Sequence, residues 1–348
     1  MILTISATSA FGLFAAGVIK PQSAQSQKLV MEEFMIPASD SGIEIYVRNK
    51  RLADMTRFSA ERTLLFVHGA TSPADTAFDL PLGGMSWMDY IASRGFDAYL
   101  LDVRGYGKST RPKEMSDKPD ANAPIVRTAT AMKDVSSIVD FILKRRNIAR
   151  LDLLGWSWGA AIMATYTARN PDKVERLVLY APSWIRTTAP LIQAGPGPMP
   201  AYRSVCKDQA RDRWLNGVPE DKKADLIPAG WFDQWADATW ATDSEGAKMD
   251  TPVLRVPNGT LADTAEFWAA GKPYYDPSKI TAPTLIVGAE WDRDNPAYMR
   301  QTLFPLLVNS PGKRYVELAE GTHTIMMEAN RLELFESVQT FLEEAGVS

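Results

Sequence analysis

The sequence has very few of the residues that hold metals or form disulfides. Its 348 residues include one cysteine, Cys206, and two histidines, His68 and His323. A single cysteine excludes an internal disulfide and a cysteine-based metal cluster. The wide separation of the two histidines excludes a two-histidine metal motif at helical spacing. A general base that works near neutral pH therefore has very few candidates.

Long basic runs are also missing. The formal net charge is −4, which argues against nucleic acid as a partner. The hydrophobic share of 45% and the charged share of 23% are ordinary for a globular protein. The length suits one large domain or two small ones.

The apolar run near the N-terminus, residues 7–19, is too short to span a bilayer and is typical of the core of a signal peptide. Small residues at Ala24 and Ser26 would suit a signal peptidase, although no Lys or Arg precedes Lys20. We predict no stable membrane span and a signal peptide or disordered apolar tail over residues 1–26. Export, as a secreted or periplasmic protein, is the favoured localisation, with a cytoplasmic protein as the alternative.

Apolar runs alternate with amphipathic segments along most of the chain. Continuous apolar runs are typical of strands buried on both faces of a parallel sheet. The alternation predicts an α/β fold with a mainly parallel central sheet flanked by helices. An antiparallel pair is expected at 29–36 and 43–48, later strands at 63–67, 98–101, 151–154, 176–180, 283–288 and 314–318, and helices at 85–93, 128–146, 158–169, 297–307 and 331–344.

The alternation stops between Ala181 and Thr281, where prolines, glycines and tryptophans accumulate and no clean buried strand is predicted. An insertion of roughly 100 residues within a βα alternation is best interpreted as a cap over the carboxyl edge of the sheet. We predict a core at 27–183 and 281–348, and a cap at 184–280.

The sequence Gly155-Trp156-Ser157-Trp158-Gly159 follows one of the predicted strands and precedes a helix rich in alanine. This is the context of a nucleophile elbow, in which a tight turn exposes the serine hydroxyl above the sheet. The alternative is a glycine-rich turn in an ordinary βα unit.

Five motifs occur in the order found in the α/β-hydrolase superfamily, and the chain resembles that superfamily from about residue 43 to the C-terminus. The resemblance implies an α/β-hydrolase fold with a cap inserted after the sixth strand, and a nucleophile, acid and histidine in that order. The motifs are His68-Gly69, the Asp102 to Ser109 segment, the elbow at Ser157, Gly288 to Asp292, and Gly321-Thr322-His323.

To act as a nucleophile, Ser157 needs a general base to accept its proton, and the sequence offers only two imidazoles. His323 follows the last predicted strand in a loop that can reach the sheet edge, whereas the resemblance implies a structural role for His68. Residues 181–207 contain no Asp or Glu, so the orienting carboxylate is expected after Val287. Asp292 matches the position usual in the family, and Asp294 is the next choice.

The resemblance also implies an oxyanion hole made by the backbone N–H groups of Ala70 and Trp158. The side chains of Trp156 and Trp158 either line the pocket or pack beneath it. Arg104 is expected to hold loops together rather than to act in catalysis.

Six of the ten tryptophans lie in the predicted cap region. They form either the core of the insertion or an aromatic wall for a bulky apolar group. Trp231 and Trp235 are four residues apart, so a helix would place both on one face, and we predict that this face looks towards Ser157.

These residues predict a serine hydrolase that cleaves a small-molecule, apolar or aromatic carboxylic ester through an acyl-enzyme, without cofactor or metal. A serine nucleophile argues against haloalkane dehalogenases and epoxide hydrolases, which resemble this chain but use Asp. Proline iminopeptidases resemble this chain at the elbow. Their glycine-rich segment after His-Gly is replaced here by Ala70-Thr71-Ser72, which argues against a peptidase of this kind. The same triad acting on a lactone, amide, thioester or carbon–carbon bond remains an alternative, as does a non-catalytic ligand binder.

Overall fold

The computed structural model describes residues 28–193, 195 and 197–344. The expected signal peptide or apolar tail at residues 1–26 lies outside these residues. Among the described helices, none is both long and apolar enough to cross a membrane.

An eight-stranded sheet forms the centre of the molecule. Its strands are β1 (Leu29–Pro37), β2 (Glu44–Leu52), β3 (Thr63–Val67), β4 (Asp97–Leu101), β5 (Leu151–Trp156), β6 (Val174–Tyr180), β9 (Thr284–Ala289) and β10 (Arg314–Leu318). They lie in the order β1-β2-β4-β3-β5-β6-β9-β10. The pairs β1/β2 and β2/β4 are antiparallel, and the remaining neighbours are parallel. The runs predicted as strands at 63–67, 98–101, 151–154, 176–180 and 283–288 form the buried middle of this sheet, whereas the strand predicted at 314–318 lies at its edge and is only partly buried.

The core helices pack on both sides of this sheet. The predicted helix at 128–146 is observed with the same bounds, and the helix expected at 297–307 ends earlier in a 3-10 turn. The alternation of buried strand and helix confirms the predicted α/β class. The core helices are α1 (Ala74–Phe78), α2 (Trp87–Ala92), α3 (Thr128–Arg146), α4 (Trp158–Arg169), α9 (Ala297–Leu303) and α10 (Arg331–Glu343).

In its described residues, the insertion after the sixth strand, between β6 and β9, carries four α-helices and a small sheet. The cap position inferred from the sequence is confirmed, while its limits at 184 and 280 stay a prediction. Its elements are β7 (Tyr202–Val205), α5 (Lys207–Trp214), α6 (Lys223–Leu226), α7 (Trp231–Trp240), β8 (Leu254–Pro257) and α8 (Gly259–Asp263), followed by a π-helical turn at Thr264–Trp268.

The antiparallel pair β7/β8 differs from the expectation of no buried strand in the insertion, because β8 is buried throughout. Each strand has four residues and contains an arginine, so neither shows an apolar run. Arg255 is neutralised by Asp243, whose Oδ1 lies 2.7 Å from Nη2. A tertiary ion pair therefore allows a charged residue in a buried strand.

Candidate active site

Ser157 lies at the junction of β5 and α4 in a conformation that L-residues rarely adopt, with φ 58° and ψ −115°. The flanking glycines make this turn possible. A Cβ on Gly155 would lie 2.2 Å from the carbonyl oxygen of Gly159, and a Cβ on Gly159 would lie 2.4 Å from that of Val67. The turn is therefore a strained elbow rather than an ordinary βα connection.

Two backbone N–H groups lie close to this elbow. A Cβ on Gly69 would come within 3.3 Å of the Ser157 Cβ, which places the His68–Ala70 turn against the serine. Trp158 is the first residue of α4, so its N–H has no acceptor within the helix. Among the described residues, the N–H groups of Ala70 and Trp158 have no hydrogen-bond acceptor.

His323 lies in the loop after β10, and its Nδ1 is 3.0 Å from Asp292 Oδ2. Both side chains are buried. The other Asp292 oxygen, Oδ1, accepts a hydrogen bond of 2.8 Å from the backbone N–H of Asn295, and Arg300 Nη1 lies 3.4 Å from Oδ2. These contacts fix the orientation of the carboxylate, which in turn orients the imidazole.

The backbone at His323 is also held in place. Its carbonyl oxygen accepts hydrogen bonds from Trp156 Nε1 at 3.0 Å and from the Tyr180 hydroxyl at 2.8 Å. The indole of Trp156 also packs against the imidazole, with 5.3 Å between the ring centroids. Trp156 therefore both lines the cavity and supports the histidine loop, whereas Trp158 is fully buried beneath the elbow and donates to Thr128.

Asp294, the second choice for the orienting carboxylate, forms an ion pair with Arg213, at 2.7 Å from Nη2 and 2.8 Å from Nε. Burial raises the pKa of Asp294, but Arg213 and His323 outweigh it and hold that pKa below its ordinary value. Asp292, Asp294 and His323 each place one ligand-type atom within 4.8 Å of the others. Asp292, not Asp294, accepts the contact from His323 Nδ1.

Asn295 was not among the residues predicted from the sequence. Its Nδ2 lies 3.4 Å from Ser157 Oγ and donates to the carbonyl oxygen of Ala181 at 2.8 Å. The only sequence signal was its position three residues after Asp292, which does not indicate contact with the serine.

The residues expected to be structural are placed as predicted. His68 is fully buried; its Nδ1–H donates to the Gly69 carbonyl at 2.7 Å and its Nε2 accepts from the Val103 N–H at 3.0 Å. Burial lowers the pKa of His68 to about 4, so the ring is neutral at pH 7. Arg104 binds Asp134 and Asp40, which joins α3 to the turn between β1 and β2.

A cavity of about 530 Å³ opens above the elbow, between the sheet edge and the cap. Ser157, His323 and Ala70 lie on its core side, and Trp214 and Trp235 on its cap side. A smaller adjoining cavity of about 50 Å³ reaches Trp184 and Trp268.

The prediction that Trp231 faces Ser157 is wrong. Trp231 is not among the residues that line either cavity; it packs over Gly83 and lies 4.5 Å from the Arg331 guanidinium. The two tryptophans do lie on one helix, but four residues advance a helix by about 6 Å. The cavity ends beside Trp235, so Trp231 meets α10 instead.

Comparisons with known proteins agree with this architecture. A family model described as the alpha/beta hydrolase fold matches residues 62–329. The chain is 27% identical over 84 residues to the abhydrolase domain-containing protein abhd-5.2 of Caenorhabditis elegans, covering 24% of this chain and 17% of that protein. It is 32% identical over 92 residues to the 2-hydroxy-6-oxononadienedioate/2-hydroxy-6-oxononatrienedioate hydrolase of Escherichia coli K12, covering 26% of this chain and 27% of that protein.

The match thus spans about a quarter or less of the length of these two curated relatives. The fold, in contrast, is shared over nearly the whole chain. The 2-hydroxy-6-oxo-6-phenylhexa-2,4-dienoate hydrolase of Rhodococcus sp. strain RHA1 superposes with a TM-score of 0.61 at 13% identity, covering 91% of this chain and 100% of that chain. The protein belongs to the alpha/beta hydrolase fold family, and the family assignment supports a hydrolase.

Proposed function

We propose that the protein is a serine hydrolase that cleaves a carboxylic ester through an acyl-enzyme. The observation that carries the proposal is the 3.0 Å contact between His323 Nδ1 and Asp292 Oδ2, beside a cavity that also exposes the strained Ser157. A carboxylate on Nδ1 leaves Nε2 as the proton acceptor for the serine.

In the proposed reaction, Ser157 Oγ attacks the ester carbonyl carbon while His323 Nε2 accepts the serine proton. The N–H groups of Ala70 and Trp158 donate to the oxyanion that develops. His323 then transfers the proton to the leaving alcohol as its C–O bond breaks. A water attacks the acyl carbon and gives its proton to His323, and that proton returns to Ser157 when the acid leaves.

The substrate that best fits this cavity is a small-molecule ester with an apolar or aromatic part. Leu191, Ile192, Trp214 and Trp235 supply apolar surface within a volume suited to small ligands. The E. coli relative is named as a hydrolase of an oxo-dioate and one structural neighbour as an enol-lactonase. Cleavage of a lactone, amide, thioester or carbon–carbon bond by Ser157, Asp292 and His323 is therefore the alternative to cleavage of an ester.

A fluorophosphonate probe tests whether Ser157 is a nucleophile. The probe should label the wild-type protein and not Ser157→Ala, while Ser137→Ala, which removes a hydroxyl on α3, should be labelled normally. Wild-type protein that remains unlabelled would favour a non-catalytic ligand binder.

Turnover of a panel of esters, lactones, thioesters and anilides tests the bond that is cleaved. Ser157→Ala and His323→Ala should each lower kcat by several orders of magnitude with unchanged circular dichroism. Full activity of His323→Ala would overturn the mechanism. A clear preference for lactones or thioesters would retain the nucleophile and reject the ester assignment.

A further inference from the structure

The interior of the cavity contains a guanidinium that has no carboxylate partner in the part of the chain that the structure describes. Arg203, in β7, lines both the large and the small cavity. Its Nη1 donates to the Pro257 carbonyl at 3.1 Å and to Asn258 Oδ1 at 3.2 Å. Its Nη2 donates to the Ala70 carbonyl at 3.0 Å and lies 3.4 Å from Thr71 Oγ1. All four acceptors are neutral.

The remaining donor of this side chain is unsatisfied. The Nε of Arg203 is shielded from solvent and has no acceptor among the described residues. Burial lowers the pKa of Arg203 to about 10, so the guanidinium is still charged at neutral pH. A charge removed from water without a counter-charge is destabilising, and such an arrangement is favourable when a ligand supplies the missing anion.

The neighbouring charges do not neutralise Arg203. Arg213 lies 3.3 Å from the same Thr71 hydroxyl and is paired with Asp294. Asp212 also lines the cavity, but it is exposed to solvent and forms no ion pair among the described residues. Of Arg203 and Arg213, which both line the large cavity, only Arg213 has a carboxylate partner among the described residues, so one positive charge is left unbalanced beside Thr71.

This charge lies next to the proposed reaction centre. Arg203 Nη2 contacts the carbonyl of Ala70, whose N–H is a proposed oxyanion donor, and Ser157 lines the same two cavities. A ligand held at Arg203 would therefore place its neighbouring atoms close to the serine. Leu191, Ile192 and Trp235 leave room for an apolar part of the same ligand.

We infer that Arg203 is the binding site for a carboxylate of the substrate, so the substrate is an ester that carries a free carboxylate besides its scissile bond. A planar guanidinium and a carboxylate form short, charge-assisted hydrogen bonds, and Arg213 and the Thr71 hydroxyl add further donors. The inference rests on the proposed function, because the carboxylate is useful to the reaction only if Ser157 attacks the adjoining carbonyl.

Matched substrate pairs provide the test. For an anion on the acyl side, kcat/KM is measured with the para-nitrophenyl monoester of glutaric acid and with para-nitrophenyl pentanoate. For an anion on the alcohol side, meta-acetoxybenzoate is compared with its methyl ester. The wild-type protein should prefer the charged member of at least one pair.

In Arg203→Gln the ratio of kcat/KM for the charged over the neutral ester should fall at least tenfold, which corresponds to about 1.4 kcal/mol. Arg203→Lys should restore part of the ratio, because it keeps the charge but not the planar fork. Arg169→Gln, which removes an exposed positive charge on α4, should leave the ratio at its wild-type value.

An equal loss on both members of each pair in Arg203→Gln would overturn the inference and identify Arg203 as a support for the Ala70 loop. Turnover of neutral esters without any preference for charged ones would also overturn it, while leaving the proposed hydrolase intact. If the wild-type protein cleaves no ester, the proposed function fails. Calorimetric binding of glutarate to the wild type and not to Arg203→Gln would then still support the carboxylate site.

Discussion

The elbow depends on two positions at which only a hydrogen atom fits. Gly155 and Gly159 face backbone atoms, which cannot move aside as the end of a side chain can. The strain at Ser157 therefore persists because the packing around it permits no other path.

Gly155→Ala is expected to lower the free energy of unfolding by about 3 kcal/mol, because its Cβ would overlap the Gly159 carbonyl. Urea titration followed by circular dichroism measures this change. Gly195→Ala is the control, because no atom of the described residues lies within 4 Å of the added methyl group. An unchanged midpoint for Gly155→Ala would mean that the turn relaxes and that the glycine is not required.

The two aspartates near His323 are distinguished by their partners. Asp292→Asn should lower kcat on a small acetate by about three to four orders of magnitude, because an amide favours the wrong imidazole tautomer. Asp294→Asn should change kcat less than about tenfold, because its partner is Arg213. The reverse order would make Asp294 the orienting carboxylate.

At the scale of elements, helix α7 presents its two tryptophans to different surroundings. Trp235 lines the cavity and Trp231 packs against α10. Trp235→Ala should lower the ratio of kcat/KM for a bulky over a small ester by about tenfold, because the lost apolar contacts exist only with the bulky substrate. Trp231→Ala should leave this ratio unchanged. A ratio for Trp235→Ala that equals the wild-type ratio would show that Trp235 acts only in packing.

The cap and the histidine loop are joined through Glu328. Its Oε1 accepts from Trp214 Nε1 of α5 at 2.8 Å, and its Oε2 accepts from the Thr322 N–H at 3.0 Å. Burial raises the pKa of Glu328 to about 6, against the opposing effect of these hydrogen bonds. Glu328 therefore connects Trp214, on the cap side of the cavity, to the loop that carries His323.

Glu328→Ala is expected to lower stability by about 2 to 3 kcal/mol, because it leaves buried donors without acceptors. It should also lower kcat for small and bulky esters alike, since the position of His323 changes for every substrate. Glu333→Ala, an exposed change on α10, is the control for thermal unfolding and turnover. Loss of stability with unchanged kcat would show that the His323 loop is held by its other contacts.

At the scale of the whole molecule, stability in acid depends on His68. Its pKa falls from 6.5 to about 4 because the ring is buried, so the unfolded chain binds more protons between these values. Stability from this group is therefore present above pH 6.5 and is lost as the pH falls towards 4, by about 3 kcal/mol in total.

His68→Asn tests this dependence because it removes the titrating ring. The difference in unfolding free energy between the wild type and this variant should shrink as the pH falls from about 7 to 4. A difference that does not depend on pH would mean that His68 is protonated in the folded protein or stays neutral when unfolded.

The sequence by itself determined the α/β class, the position of the cap between two strands, and the residues of the elbow. Each depends on a local pattern: continuous apolar runs, an interrupted alternation, or two glycines around a serine. Asp292 was predicted because it matches the position usual in the family that the motifs resemble, and His323 was predicted from the scarcity of histidine. The structure brings their side chains together.

Tertiary structure alone decided where the cap residues point. Trp231 and Trp235 lie four residues apart on one helix, yet only Trp235 reaches the cavity. The cavity ends beside Trp235, and Trp231 packs against Arg331 of α10. The contact of Asn295 with Ser157, the buried strand around Arg255 and the unpaired charge of Arg203 likewise depend on atoms far apart in the chain. Such long-range partners decide whether a buried polar group is neutralised, and a local sequence pattern does not contain them.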